Sequence, residues 1–120
     1  MNHRFIVMKI STQNAQHYKW GNDCDGWHLL NSPHLSLIQE KMPPGTEEVK
    51  HYHQYSEQVF YILSGQATFY LDQKVLTLEA QESLHIPPLT PHQIQNSSDR
   101  DLHFLVISHP KSHGDRIIVE

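Results

Sequence analysis

The sequence predicts a single all-β domain, and two observations support that prediction. From about residue 35 onward, short runs of β-branched and aromatic residues alternate with turn residues, and no segment has a convincing helical period. Many short strands at close, even spacing are typical of a β-sandwich or barrel. The 120 residues are enough for one domain with a modest core.

The predicted strands follow one another between residues 35 and 108, and most end at a turn signal. In chain order they span 35–42, 51–53, 58–63, 66–71, 74–78, 83–86, 92–95 and 102–108. The Pro-Pro-Gly sequence at 43–45 ends the first strand, and Asp72-Gln73 reads as a hairpin turn between the fourth and the fifth. A proline-rich turn at 87–91 precedes the strand that begins at His92.

The two ends of the chain are harder to interpret, and we divide the single domain accordingly into an N-terminal arm (1–33), a barrel (34–108) and a C-terminal tail (109–120). The stretch 20–27 reads as a loop with two aromatic anchors, Trp20 and Trp27. We expect the arm to drape over one end of the barrel or to reach a partner subunit. We expect the tail to leave the barrel through Pro110 and Gly114.

Composition excludes several classes of protein. A formal net charge of −4 argues against a nucleic-acid partner, because nucleic-acid binders present a basic face to phosphates. No apolar stretch approaches the length that crosses a bilayer, and the N-terminus lacks a signal sequence, so we expect a cytoplasmic protein without a membrane partner. The lone Cys24 cannot form an internal disulfide. We expect a homodimer, because edge strands and the aromatic arm need covering.

Histidine is over-represented, with 11 in 120 residues, and its spacing suggests a metal site. His51 and His53 are two apart in a predicted strand, so their side chains share a face and can converge on one ion. Glu57 can return to the same point from the next strand, and His92 can reach it from a separate strand. Three imidazoles and a carboxylate suit Fe, Mn, Ni, Zn or Co as a divalent ion and leave coordination positions open.

Two segments resemble the sequence motifs of the cupin superfamily, and the resemblance spans about residues 35–108. The family patterns run G-x5-HxH-x3 or 4-E-x6-G and G-x5-P-x-G-x2-H-x3-N. The first is matched by Gly45, His51, His53, Glu57 and Gly65, and the second by Pro87, His92 and Asn96. The resemblance implies a small metal-binding cupin with a double-stranded β-helix, a jelly-roll-like barrel, whose ligands are His51, His53, Glu57 and His92.

The chain departs from these patterns at three points. Seven residues rather than six separate Glu57 from Gly65, and Gln81 and Leu89 stand where the second motif has glycines. Both glycine positions are bends, where glycine is preferred for its backbone freedom. We therefore expect the departures to affect turn geometry and not the ligands.

Strand alternation predicts the lining of the pocket. If Glu57 faces inward, then Val59, Tyr61 and Leu63 do too, and Phe69 and Phe104 make the walls apolar. Tyr61 either offers its hydroxyl to a substrate or packs in the core. On the preceding strand either Ile38 with Glu40 or Leu37 with Gln39 faces inward. We favour Gln39 as the polar pocket residue, because a buried Glu40 would need a partner.

Fold alone does not identify a reaction, so three functions remain open. The first is a metal-dependent enzyme acting on a small oxygen-rich organic molecule, either as a dioxygenase or as an isomerase or decarboxylase that uses the metal as a Lewis acid. Tyr61 and Gln39 are its candidate catalytic residues. The second is a non-catalytic sensor of a metal or small ligand. The third is a structural barrel whose metal only secures the strands.

Overall fold

The computed structural model describes residues 7–112 and 114–120, and within them the regular elements are all strands. The twelve strands of the described chain are β1 (Gln16–Trp20), β2 (Cys24–Asn31), β3 (Ser36–Met42), β4 (Thr46–Glu47), β5 (His51–His53), β6 (Glu57–Ser64), β7 (Ala67–Leu71), β8 (Val75–Leu78), β9 (Ser83–Ile86), β10 (His92–Asn96), β11 (Leu102–His109) and β12 (Arg116–Ile118). The predicted all-β class is confirmed. These residues include no helix long and apolar enough to span a membrane.

The strands form two antiparallel sheets that pack face to face. One sheet has the order β1-β2-β3-β11-β6-β9, and the other has β12-β5-β10-β7-β8 with β4 added beside β10. Phe60 of β6 and Phe69 of β7 meet edge-on between the sheets, with ring centroids 5.1 Å apart. This is the double-stranded β-helix that the sequence predicts. The pairing leaves two separate sheets in the described part of the chain and not a closed barrel.

Strand β6 turns the opposite face toward the interior from the one that we predicted. Phe60 and Ile62 are buried between the sheets, whereas Val59 and Tyr61 are half-buried on the outer face and Leu63 is exposed. The prediction that Val59, Tyr61 and Leu63 line the pocket is therefore wrong. Because side chains alternate with a period of two, an error of one residue in the phase of a strand exchanges its faces completely.

The N-terminal segment is a hairpin and not an irregular arm. β1 pairs with β2, and β2 continues the sheet beside β3. The predicted loop at 20–27 is the turn of this hairpin together with the start of β2; Gly21 and Asp23 take the left-handed backbone conformation there, with φ of 53° and 63°. Tyr18 lies over Gly26, in the space that a Cβ would occupy. The hairpin thereby carries an aromatic residue to the interior face.

The C-terminal segment returns to the fold. β12 pairs with β5 and sets Arg116 opposite His53 and Ile118 opposite His51. The carboxylate of Asp115 accepts hydrogen bonds from the backbone N–H groups of Gln54, Tyr55 and Ser56, which anchors the segment to the turn before β6. The expectation that the tail leaves the barrel is wrong for residues 114–120.

The turns keep the backbone conformation of the two motifs even where glycine is missing. Gly45 and Gly65 have φ of 77° and 88°, and Gln81 and Leu89 have φ of 70° and 64°. The left-handed region is unfavourable for a residue with a Cβ. The two departures from glycine thus leave the path of the chain unchanged and place strain at two exposed turn residues.

Candidate metal centre

Three histidines meet between the sheets. His51 and His53 lie at the two ends of β5, and His92 begins β10, directly opposite His51 in the ladder. All three are buried, with His92 0% exposed, and one ring nitrogen of each lies within 4.8 Å of the others. The prediction that these three residues come together is confirmed, and the spacing suits a single ion.

The imidazoles are oriented to present free lone pairs. Nδ1 of His51 lies 2.8 Å from the carbonyl oxygen of Val49, and Nδ1 of His92 lies 2.9 Å from that of Thr90. A protonated Nδ1 that donates to a carbonyl leaves Nε2 as the acceptor, the arrangement found around metal-bound histidine. Nε2 of His92 is buried without a hydrogen-bond partner in the described chain, as is Nδ1 of His53.

The histidines are neutral, as metal ligands must be. Burial lowers the pKa of His51 to about 3, and the pKa of His53 to about 4. Burial also lowers the pKa of His92. Removing a charged imidazolium from water is costly, and the charge of Arg116 is a further cause that lowers the pKa of all three.

Glu57 does not join this cluster. It is the exposed first residue of β6, and its Oε1 lies 2.7 Å from Nε2 of His85 on the neighbouring strand β9. The prediction that Glu57 is the fourth ligand is therefore corrected. β6 begins at Glu57 as we assumed, but its alternation is opposite in phase, so the inward position of the strand falls on Gln58.

Gln58 occupies the position that we assigned to Glu57. Its side chain is buried, lines the same cavity as His51 and His53, and donates from Nε2 to Oγ of Ser108 over 3.0 Å. Its Oε1 is buried and has no hydrogen-bond partner among the residues described. The sequence contained a signal for this assignment, because six residues separate Gln58 from Gly65, as the motif requires.

The unpaired atoms fit a divalent transition metal. Buried polar atoms in proteins almost always have a partner, so three unpaired ones on His53, His92 and Gln58 need an explanation. Imidazole nitrogens and an amide oxygen together are donors that Fe, Mn, Ni, Zn and Co accept. His51, His53 and His92 are spaced to hold such an ion, and Gln58 is a candidate for a further donor because it lines the same cavity as His51 and His53.

His51 and His53 line a cleft with two chambers. An inner chamber of about 220 Å³ is lined by Gln58, His51 and the carboxyl groups of Glu40 and Glu48, among others. An outer chamber of about 530 Å³ is lined on one side by the hairpin and on the other by the C-terminal segment. The chambers adjoin each other, because both are lined by Tyr18, Ile38, His53, Ser112 and Arg116.

The polar residue that β3 contributes to the cleft is Glu40 and not Gln39. Ile38 and Glu40 line the inner chamber, so the choice of Gln39 is wrong. Burial raises the pKa of Glu40 to about 8, with a further contribution from the charge of Glu48 and an opposing one from Arg116. Burial raises the pKa of Glu48 to about 8 as well. Protonation, and not a direct ion pair, is what makes two carboxyl groups tolerable here.

The predicted aromatic walls belong to the core. Phe69 and Phe104 are 0% and 1% exposed and pack on Phe60, whose ring lies 5.8 Å from that of His92. They therefore support the histidines from beneath and do not line the cleft. Apart from Gln58, sequence reasoning missed Tyr18 and Arg116, since both reach the cleft by strand pairings that carry no local signal.

Comparison with known proteins agrees with this geometry. The sequence model of the Cupin domain family matches residues 38–108. A protein of unknown function from Methanocaldococcus jannaschii is 36% identical over 86 residues, covering 71% of this chain and 69% of its own. The oxalate-binding protein of Thermotoga maritima is 30% identical over 85 residues, covering 67% and 70%. The polyketide cyclase RemF of Streptomyces resistomycificus has a similar fold, with a TM-score of 0.80 at 16% identity over 96% of this chain and 88% of its own.

Proposed function

The chain belongs to the cupin family, and from that premise we propose that it is an enzyme that uses one divalent transition metal to act on a small oxygen-rich organic molecule. One observation carries the proposal. Three neutral histidines are spaced for one ion, and two of them, His51 and His53, line with Gln58 a cleft that is open to a small molecule.

His51, His53, His92 and Gln58 would hold the ion. When bound, it supplies Lewis-acid chemistry for an isomerisation or decarboxylation, or, if it is iron, the redox chemistry of a dioxygenase. All four side chains are uncharged, so the site keeps the full double charge of the ion. A carboxylate ligand such as Glu57 would have halved it, and the neutral set favours anionic oxygen groups of a substrate.

Glu40 and Glu48 are the candidate acid–base groups. Both face the inner chamber, and a pKa of about 8 lets each hold a proton near neutrality and release it to a nearby base. The backbone N–H of Ile94 donates to Oε1 of Glu48 over 3.4 Å, which orients that carboxyl group. Tyr18 and Trp20 of the hairpin cover the same chamber and limit the entry of water.

A panel assay on metal-loaded protein tests the enzymatic proposal. Dicarbonyl compounds, small organic acids, catechols and sugars are incubated with the protein, and product formation and oxygen uptake are followed. Turnover that is lost in Glu40→Gln while the metal is retained supports the proposed roles. No turnover of any compound by protein that carries a full equivalent of metal would contradict them.

A second candidate is a metal-dependent binding protein without turnover. The name of the Thermotoga maritima relative, an oxalate-binding protein, favours it, and it also supports a small organic acid as the ligand. Recovery of a tightly bound acid in unchanged form would distinguish binding from catalysis.

Homodimerisation and a cytoplasmic location stay predictions. Light scattering of the purified protein measures its oligomeric state.

A further inference from the structure

Two cations of the cleft form no ion pair in the described part of the chain, although the charge of Arg116 is near enough to Glu40 and Glu48 to lower their pKa. Lys111 and Arg116 line the outer chamber, and within the described residues neither forms an ion pair, whereas Lys19, Lys41 and Lys50 each pair with an aspartate. The molecule as a whole carries a net charge of −4, so unpaired cations gathered at one cleft run against its overall charge. Such an arrangement attracts an anion.

The fold holds Arg116 at a defined position near the histidines. β12 pairs antiparallel with β5, and Arg116 stands opposite His53, so the two side chains share the interior face. The three backbone N–H donors that bind Asp115 fix the preceding residue. Arg116 lines both chambers, including the one that His51 and His53 line.

Lys111 reaches the same space from the segment before β12. Its backbone N–H donates to the carbonyl oxygen of Pro33, which ties this segment to the end of β2. After burial, the charge of Lys111 is the second cause that lowers the pKa of His28, a residue of the outer chamber. The ammonium group thus acts inside the chamber.

We propose that the outer chamber binds the carboxylate end of an elongated organic acid through Arg116 and Lys111, while the oxygens at its other end face the histidines. The guanidinium forms paired hydrogen bonds with a carboxylate, and the lysine adds a point charge. A volume of about 530 Å³ beyond the inner chamber admits a molecule longer than a two-carbon acid. The placement of the second end rests on the proposed function.

Glu40 and Glu48 do not cancel this attraction. They line the inner chamber, and Glu40 is absent from the lining of the outer one. With a pKa of about 8, both are largely uncharged at neutral pH. The charge that an incoming acid meets first is that of Lys111 and Arg116.

Calorimetric titration with a matched pair of probes tests the inference. The full-length protein, with its metal content measured, is titrated with glutarate and with its neutral diamide, glutaramide. We expect glutarate to bind about tenfold more tightly than the diamide, since a hydrogen bond to a charged group is worth that much. Arg116→Gln should lose about tenfold in glutarate affinity, Arg116→Lys less, and the exposed control Arg100→Gln nothing.

The outcomes separate this inference from the proposed function. Equal binding of the two probes, no binding of glutarate by the wild type, or wild-type affinity in Arg116→Gln would overturn the carboxylate site. If one of these three results is obtained with protein that carries metal, the carboxylate site is rejected and the proposed metal-dependent function still stands. If the protein binds no metal but glutarate binding still depends on Arg116, the carboxylate site stands and the proposed function fails.

Discussion

Nε2 of Gln58 donates a 3.0 Å hydrogen bond to Oγ of Ser108, which leaves the buried amide oxygen of Gln58 without a partner in the described chain, on a residue that lines the same cavity as His51 and His53. Ser108 is 1% exposed, so water does not compete for the bond. The hydroxyl thereby orients an uncharged oxygen donor, in the way that outer partners orient metal ligands in other proteins.

Gln58→Ala should weaken metal binding by about tenfold or more, a loss that removal of even an outer partner of a ligand produces. Gln58→Glu should retain the metal at least as well as the wild type, because an anionic oxygen attracts the ion more strongly. Competition with a fluorescent chelator measures both affinities.

The control for these variants is Glu57→Gln, one residue away on the outer face. It breaks only the contact with His85 and should leave metal affinity unchanged. If Glu57→Gln lost the metal while Gln58→Ala kept it, the assignment of the two residues would have to be reversed.

Glycine at the two strained turns should stabilise the protein. Gln81 and Leu89 have positive φ and exposed side chains, so Gln81→Gly and Leu89→Gly remove strain and give up little burial. We expect each variant to raise the free energy of unfolding by roughly 0.5–1 kcal/mol. This is the free-energy cost of a left-handed backbone for a residue with a Cβ, minus the cost of the greater backbone entropy that glycine loses on folding. Urea denaturation measures the free energy of unfolding.

Two matched variants give the opposite result if the explanation is right. Leu35→Gly, at an exposed leucine without positive φ, should destabilise. Gly65→Ala should destabilise more strongly, since its Cβ would lie 2.5 Å from the backbone oxygen of Asp101. Stabilisation by Leu35→Gly as large as that by Leu89→Gly would show that backbone strain is not the cause.

The stability of metal-free protein should depend on pH through Glu40. Its pKa is about 8 when folded against an ordinary value of 4.5, so the folded state holds a proton that the unfolded state has released. The stabilising contribution of Glu40 to the free energy of unfolding is therefore fully present below pH 4.5 and is lost as the pH rises through about 8. The melting temperature of Glu40→Gln minus that of the wild type should increase across this interval.

Thermal denaturation between pH 5 and 8.5 in the presence of a chelator measures this difference, and the titration of the histidines cancels because both proteins contain them. Glu47→Gln, at an exposed carboxylate of neighbouring β4, should show a constant difference. Parallel curves for Glu40→Gln and the wild type would mean that Glu40 is ionised in the folded protein at neutral pH.

Local sequence patterns predict the strands of this fold well. They predict poorly which face of a strand is buried and which distant strands pair. The strand predicted at 83–86 coincides with β9, and the histidine pair of β5 was recognised from spacing two. The predicted phase of β6 was wrong because the strand pattern does not determine which face the first residue after the turn presents, and Glu57 and Gln58 are both polar. The six-residue spacer from Gln58 to Gly65 was the only local sign of the correct phase.

The contributions of the chain ends to the cleft could not be predicted in the same way. Three residues of β12 have no pattern that names β5 as their partner, and the pairing brings together residues more than sixty positions apart. Gly21-Asn22-Asp23 is a turn sequence that could have indicated the β1–β2 hairpin. Nothing local, however, indicates that Tyr18 covers Gly26 or that Arg116 faces His53.

Elemental analysis of protein purified without an affinity tag tests the central claim most directly, with His51→Ala as the test variant and the exposed His85→Ala as its control. We expect about one equivalent of a divalent transition metal in the wild type and in His85→Ala, and its loss in His51→Ala. A wild type that stays free of metal after incubation with each candidate ion, or a His51→Ala variant that retains it, would show that these histidines do not form a metal site.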